Sequence, residues 1–164
     1  MTNLLPADPG ALRQAFSRFP SGVAALCARV DGNPVGLVAS SFTVGVSLEP
    51  PLVMFAVQNT SNTWPVLRTA GRLGVSILAD GHSAVCRQLA SRQGDRFAGV
   101  DMVPYGEEAI LVGGATLSME CSIVSETPAG DHAVVILQVH NIGYVPESEP
   151  LVFHGSAFRQ LAPV

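Results

Sequence analysis

A tight turn, Asp31-Gly32-Asn33-Pro34, lies between two apolar runs, 23–30 and 35–41, and limits the fold more than any other feature. Aspartate followed by glycine accepts the left-handed backbone that a two-residue hairpin loop demands, so the flanking runs pair as antiparallel strands. Further strand-length runs occur at 52–57, between Pro51 and Gln58-Asn59, and at 72–78, 115–125 and 133–144. Short closing strands are expected at 151–154 and 158–161, a turn at 127–131, and irregular chain at 93–105.

Helical spacing is confined to three stretches. Asp8 caps and Pro9 opens the first, which carries Leu12, Ala15, Phe16 and Phe19 and ends at Pro20-Ser21-Gly22. Residues 60–70 read as a short helix capped by Ser61 or Asn62, with Pro65 tolerated in its first turn. Residues 80–92 read as a third, turning Val85, Leu89 and Ala90 inward. Strands outnumber helices and tight turns join them. The expected fold class is therefore mainly β, an antiparallel barrel with a few helices packed outside.

Length fits one domain spanning residues 1–164. Apolar residues make up 48% and charged residues 13%, which is enough to bury a full core and too apolar for the surface of a small monomer. A homodimer is the expected remedy. Nine basic against thirteen acidic residues leave a net charge of −4, which argues against a nucleic-acid partner. The longest uncharged stretches, 32–48 and 50–67, are broken by Pro, Gly, Ser, Thr and Asn, so no membrane partner is expected. No basic segment precedes an apolar stretch at the start, and a soluble, cytoplasmic protein is expected. Cys27, Cys86 and Cys121 stand 59 and 35 residues apart and read as small buried hydrophobes. His82, His132, His140 and His154 are scattered, and no metal site is expected from them.

The glycine pattern of a Rossmann turn, the phosphate loop of nucleotide hydrolases, the zinc-protease helix and the nucleophile elbow are all missing. What stands out is a pair of polar segments that each follow a strand: Ala39-Ser40-Ser41-Phe42-Thr43 and Asn59-Thr60-Ser61-Asn62-Thr63-Trp64. Hydroxyls beside the free N–H groups of a helix start suit an anion. Turn capping explains either segment alone. Two of them in so uncharged a chain point to an anionic ligand.

These segments carry a family resemblance. Phe16-Ser17-Arg18-Phe19-Pro20-Ser21-Gly22-Val23, Ala39-Ser40-Ser41-Phe42, Val46-Ser47-Leu48-Glu49-Pro50-Pro51-Leu52, Gly74-Val75-Ser76-Ile77-Leu78, Asp95-Arg96-Phe97-Ala98-Gly99 and Gly130-Asp131-His132 occur in order. Over residues 12–161 the chain resembles the short-chain flavin reductases of the FMN-binding split-barrel group. The resemblance implies a six-stranded antiparallel split β-barrel that dimerises, with FMN or FAD near the subunit interface and NADH or NADPH as hydride donor. By position, Ala39, Ser40, Ser41 and Phe42 would line the flavin ring and ribityl chain, with Ser47 nearby. Thr60, Ser61, Asn62 and Thr63 would hold the phosphate beside Trp64, and Phe97 and Ala98 would approach the flavin. His132 and the segment from His154 to Phe158 match positions associated with the nicotinamide nucleotide, and His132 is the one candidate participant in catalysis. Val44-Gly45 stands where many relatives hold a single Ser, which implies a bulge. The phosphate segment holds no lysine, which implies a neutral cradle. Asp95 and Arg96 read as a solvated ion pair, and Trp64 and Phe42 as packing or ring-stacking groups.

The expected activity is an NAD(P)H:flavin oxidoreductase that supplies reduced flavin to a partner monooxygenase by diffusion. A flavin carrier of the same fold and a reductase of another substrate are the alternatives. Whichever holds, light scattering at micromolar concentration should give twice 17.1 kDa; a species of 17 kDa would refute the dimer.

Overall fold

The computed structural model describes residues 3–164. Its elements, in chain order, are α1 (Pro9–Phe16), β1 (Ser21–Gly22), β2 (Ala24–Val30), β3 (Asn33–Ala39), β4 (Thr43–Leu48) and β5 (Pro51–Gln58). There follow α2 (Trp64–Leu67), β6 (Leu73–Ile77), a 3-10 turn (Asp80–His82), α3 (Ser83–Ala90), β7 (Met102–Tyr105) and β8 (Ala109–Val112). The long strands β9 (Leu117–Ala129) and β10 (His132–Tyr144) precede the short β11 (Val152–His154) and β12 (Ala157–Arg159).

The expected hairpin is present: Val30 pairs with Asn33, leaving Asp31 and Gly32 as the loop, at φ of 49° and 80°. Asp8 caps α1, its carboxylate accepting from Ala11 N–H at 3.0 Å. The helix stops at Phe16, short of the expected Phe19, as the Ser17 hydroxyl donates back to the Gln14 carbonyl. α2 spans four residues where eleven were expected, because the chain before it is spent on turns. The Ser61 hydroxyl nevertheless accepts from Trp64 N–H at 3.1 Å, as a cap would. Ala90 is exposed at the end of α3, whereas Cys86 and Leu89 face inward. The turn expected over 127–131 shrinks to Gly130-Asp131, because β9 runs on to Ala129.

The fold is mainly β with few helices, as expected, but the strand count is larger than six. Nine strands form one sheet in the order β4-β5-β10-β9-β6-β2-β8-β7, with β3 also on β2, and β1, β11 and β12 form a second. All pairings are antiparallel. β4, β7 and β8 were not anticipated. The pairing of β4 with β5 slips between Thr43 and Ser47 around Gly45 at φ 70°, which is the bulge expected at Val44-Gly45.

Six strands, β3, β2, β6, β9, β10 and β5, turn one face toward a common core. Leu26, Phe55, Leu73, Val75, Val135 and Leu137 fill it, and α2 adds Trp64 and Leu67. The outer side of β2 builds a second cluster, where Ala25, Cys27, Leu89, Phe97, Ile110 and Leu151 meet. Gly74 is required there, since a Cβ would run into the Ile110 backbone. Ser76, the only buried polar side chain among the described residues, accepts from Val112 N–H at 2.9 Å and pins β8 over β6. No helix among the described residues is long and apolar enough to cross a membrane.

The three cysteines are free and buried, as expected. Burial pushes the Cys27 and Cys121 thiols up to about 12, and raises Cys86 against the pull of Arg87. A thiolate-specific reagent such as DTNB at pH 8 should leave the native protein unlabelled and should titrate all three thiols once urea unfolds it. Rapid labelling of the folded chain would contradict this packing.

Candidate functional site

At the end of β3 the chain leaves its partner, and Ser41 takes over. Its Oγ accepts from Ala56 N–H and donates to the Ala56 carbonyl, both at 3.0 Å, where no ladder joins β3 to β5. At the end of β5, Asn59 clamps the turn between β9 and β10. Its N–H donates to Asp131 O at 2.9 Å and its side-chain amide to Gly130 O at 3.2 Å. His132 thereby begins β10 opposite Gln58. Three segments that are remote in sequence, 39–41, 58–63 and 130–132, converge on one end of the sheet.

A groove runs between them. One part, about 350 Å³, is lined by Ala39, Ser40, Ser41, Ala56, Val57 and His132. A second part, about 700 Å³, is lined by Thr60, Asn62, Thr63, Leu89, Ala90, Arg92 and Arg96. Leu37, Val38, Gln58 and Ser61 line both, which makes the two parts continuous. A smaller cleft of about 170 Å³ between Tyr105 and Ile142 is mainly apolar, and its Asn141 is spent on Glu120 at 2.7 Å.

Arg96 and Arg92 are the residues that sequence reasoning missed. Arg96 does not pair with Asp95. Its Nε donates to Ser91 O at 2.7 Å, and its Nη1 to Gly36 O at 3.0 Å and Thr63 Oγ1 at 2.9 Å. The Asp95 carboxylate accepts from Phe97 N–H at 2.9 Å instead. Nη2 makes no hydrogen bond among the described residues, and the Arg96 side chain lines both the groove and a neighbouring cleft of about 370 Å³ that includes Asp95 and Phe97. Arg92 is exposed and unpartnered among the described residues. The cradle around Thr60–Thr63 is thus cationic, not neutral as expected, and no Asp or Glu lines the groove. The motif Asp95-Arg96-Phe97 was the available signal; its adjacent opposite charges hid the long-range bonds.

The Ser61 hydroxyl accepts from Trp64 N–H, and Thr63 Oγ1 accepts from Arg96. Each keeps its own O–H to donate into the groove. His132 Nδ1 lies 2.6 Å from Asp131 Oδ1, and that hydrogen bond, followed by the imidazole's charge, holds the exposed Asp131 carboxyl below its usual range. His132 is half-buried and lines the smaller part of the groove together with Ser40 and Ser41, next to Gln58.

The remaining expected site residues do not line the groove. Trp64 is buried in the core, edge-on to Phe55, because its indole N–H reaches Glu126 at 3.0 Å. Phe42 packs against the inner core, and Ser47 lies beyond the bulge opposite Leu52. Phe97 is buried in the outer cluster, and Gln88 holds Ala98 by its carbonyl at 2.6 Å. His154 and Phe158 sit in the three-stranded sheet, with Arg87 5.0 Å over the Phe158 ring.

Comparison with known proteins is consistent along nearly the whole chain. The family described as flavin reductase like domain matches residues 16–162. The chain is 35% identical to the actinorhodin polyketide dimerase of Streptomyces coelicolor, over 96% of its own length and 89% of the relative's. It is 32% identical to HsaB, the reductase subunit of a flavin-dependent monooxygenase of Rhodococcus jostii, over 95% and 80%. Among solved structures, the NADH:FAD oxidoreductase SgcE6 of Streptomyces globisporus, in complex with NAD and FAD fragments, superposes with a TM-score of 0.90. It is 33% identical, with 99% of this chain and 98% of that one covered.

The junction at Ser41 can be tested without any ligand. Ser41→Ala removes both bonds to Ala56 at an exposed position, leaving the Ala56 N–H and carbonyl to be met by water. Urea unfolding should show a loss of about 0.5–1 kcal/mol. An unchanged midpoint would mean that the two strands hold together without the hydroxyl.

Proposed function

The chain belongs to the flavin reductase like family, and from that premise we propose that it is an NAD(P)H-dependent flavin oxidoreductase. One observation carries the reading: a groove whose two parts have no Asp or Glu in their lining, with donor hydroxyls and two guanidinium groups along one part and His132 lining the other. The donor set fits a flavin. The O–H groups of Ser61 and Thr63 and the Nη2 of Arg96 suit a phosphate monoester, which accepts and does not donate. Asn62 and Thr60 complete that cradle. Ala39, Ser40 and Ser41 suit the edge of the ring and the ribityl hydroxyls.

When bound, flavin supplies the redox chemistry, taking a hydride from the reduced nicotinamide and a proton from solvent. The chain's own residues bind and orient. Asn59 keeps the turn that carries His132 in register with the phosphate segment, and His132 donates to or stacks on the arriving nicotinamide nucleotide. No side chain has to move a proton, which fits a groove without a carboxylate.

Six strands of the large sheet, β3, β2, β6, β9, β10 and β5, supply the six-stranded split barrel of this reading, with Ser41 bridging the split. The chain works as a single domain and as a homodimer. Support for the dimer comes from the outer face of β5 and β10, where Leu52, Met54, Val134 and Ile136 lie together and no helix among the described residues packs broadly against them. That face adjoins the groove at Ala56. Reduced flavin passes to a monooxygenase component by diffusion, and support comes from the Rhodococcus relative, whose name makes it the reductase subunit of a flavin-dependent monooxygenase. A cytoplasmic setting suits three free thiols.

Stopped-flow absorbance tests the reading. NADH or NADPH should bleach the bound flavin, and His132→Ala should lower kcat/KM by about ten- to a hundred-fold through a higher KM and slower reduction. FMN affinity, titrated by fluorescence on the same protein, should be preserved. Absence of bleaching by either nucleotide would leave a flavin carrier, and unaltered kinetics in the variant would return His132 to a structural role.

A further inference from the structure

Arg96 stands next to an aspartate in sequence, yet its guanidinium serves the groove. Nε donates to Ser91 O at 2.7 Å, and Nη1 to Gly36 O at 3.0 Å and Thr63 Oγ1 at 2.9 Å. Only the Nη2 hydrogens are left for a ligand. The same side chain also lines the neighbouring cleft, where Asp95 lies. That carboxylate is the adjacent rival for Nη2, and an ion pair between them would cancel the charge offered to the groove.

Two contacts keep Asp95 away. Its Oδ1 accepts from Phe97 N–H at 2.9 Å, and its backbone is held from α3. Gln88 Nε2 donates to Asp95 O at 3.1 Å and to Ala98 O at 2.6 Å, so one amide brackets Arg96 and Phe97. Two carbonyl acceptors admit only the nitrogen end of that amide, which fixes its orientation. The bracketed chain belongs to no helix or strand, so side-chain bonds decide how its peptide planes point. Burial of Phe97 in the outer cluster sets only the depth of this segment. Gln88 itself is half-buried and lines neither part of the groove.

We infer that Gln88 is a positioning residue for the phosphate end of the groove: by holding the carbonyls on either side of Arg96, it keeps Asp95 off that guanidinium and leaves Nη2 to the ligand. The inference rests on the reading of the groove as a flavin site with its phosphate at Ser61, Thr63 and Arg96. Gln88 touches no ligand and acts through Arg96. A phosphate monoester feels its loss. The flavin ring and ribityl chain, placed against Ala39, Ser40 and Ser41 in the other part of the groove, do not.

The test is fluorescence titration of flavin-free protein with FMN and with riboflavin, which lacks the phosphate, and riboflavin binding doubles as the check that each variant folds. Gln88→Met keeps the length and removes the donors. It should weaken FMN about fivefold and riboflavin by no more than about twofold. Arg96→Gln should weaken FMN about tenfold, and Gln88→Met added to it should cost no more than about a further twofold, because the residue it acts through is gone. Asp95→Asn should restore most of the FMN affinity lost in Gln88→Met, yet shift it by no more than about twofold where Gln88 is kept. A merely structural Gln88 would weaken both flavins alike and gain nothing from Asp95→Asn. Equal losses for the two flavins, a full loss that persists without Arg96, or no recovery with Asp95→Asn would each overturn the inference. Failure of the unmodified chain to bind either flavin would overturn the flavin reading and the inference with it, a result seen before any substitution is made.

Discussion

The Ser41 hydroxyl both accepts from and donates to the backbone of Ala56, and the end of the sheet is organised by that exchange. A strand ladder in its place would seal β3 against β5 and fill the space with paired backbone. A side chain instead satisfies one residue of β5 and lets the chain of β3 turn away. The space that opens is the smaller part of the groove, lined by Ala39, Ser40, Ser41 and Ala56. The binding space is therefore a consequence of how the six-stranded core is closed. Close packing of Leu26, Phe55, Val75 and Leu137 behind it keeps the wall rigid.

Asn59 extends the same logic to the far wall. A backbone N–H and a side-chain amide on one residue hold two consecutive carbonyls of the β9–β10 turn. The segment proposed to hold the phosphate and the turn that presents His132 cannot shift independently. Arg96 ties in the third wall, since its guanidinium joins Gly36 of β3, Thr63 of the phosphate segment and Ser91 after α3. Each clamp satisfies polar groups that would otherwise compete for the ligand, and each leaves a defined remainder facing the groove.

Much of this was legible in the sequence where local chemistry decides. Asp31-Gly32 dictated the hairpin, Asp8-Pro9 the first helix, and the apolar runs at 52–57 and 133–144 the strands β5 and β10, although the buried residues of β10 are Val135 and Leu137. The two hydroxyl-rich segments announced themselves because they interrupt apolar strands. Illegible parts depend on tertiary partners. β4 has no readable period because its bulge at Val44-Gly45 breaks the alternation. β7 leaves no burial pattern because all four of its residues, Met102 to Tyr105, are exposed. Trp64 lies next to the phosphate segment in sequence, yet its indole turns away to reach Glu126, 62 residues on. Arg96 stands beside an aspartate and reads as half of an ion pair; its actual acceptor on Gly36 lies 60 residues back. Nearest-neighbour charge is a poor guide where a backbone N–H, here that of Phe97, claims the carboxylate first.

The net charge and the groove then take on a joint meaning. A chain of net charge −4 repels small anions over most of its surface. Two of its nine basic residues meet at one groove from which acids are absent, so the local potential opposes the global one. Low-dielectric walls such as Leu37, Val38 and Leu89 concentrate that field along the groove and do not let it spread into solvent. An anionic ligand meets guanidinium groups at the groove on a chain whose net charge is negative. For a reductase that loads a charged flavin and then gives it up, two guanidinium groups at the groove and an overall negative charge are compatible demands, since the first acts at short range and the second is screened by salt.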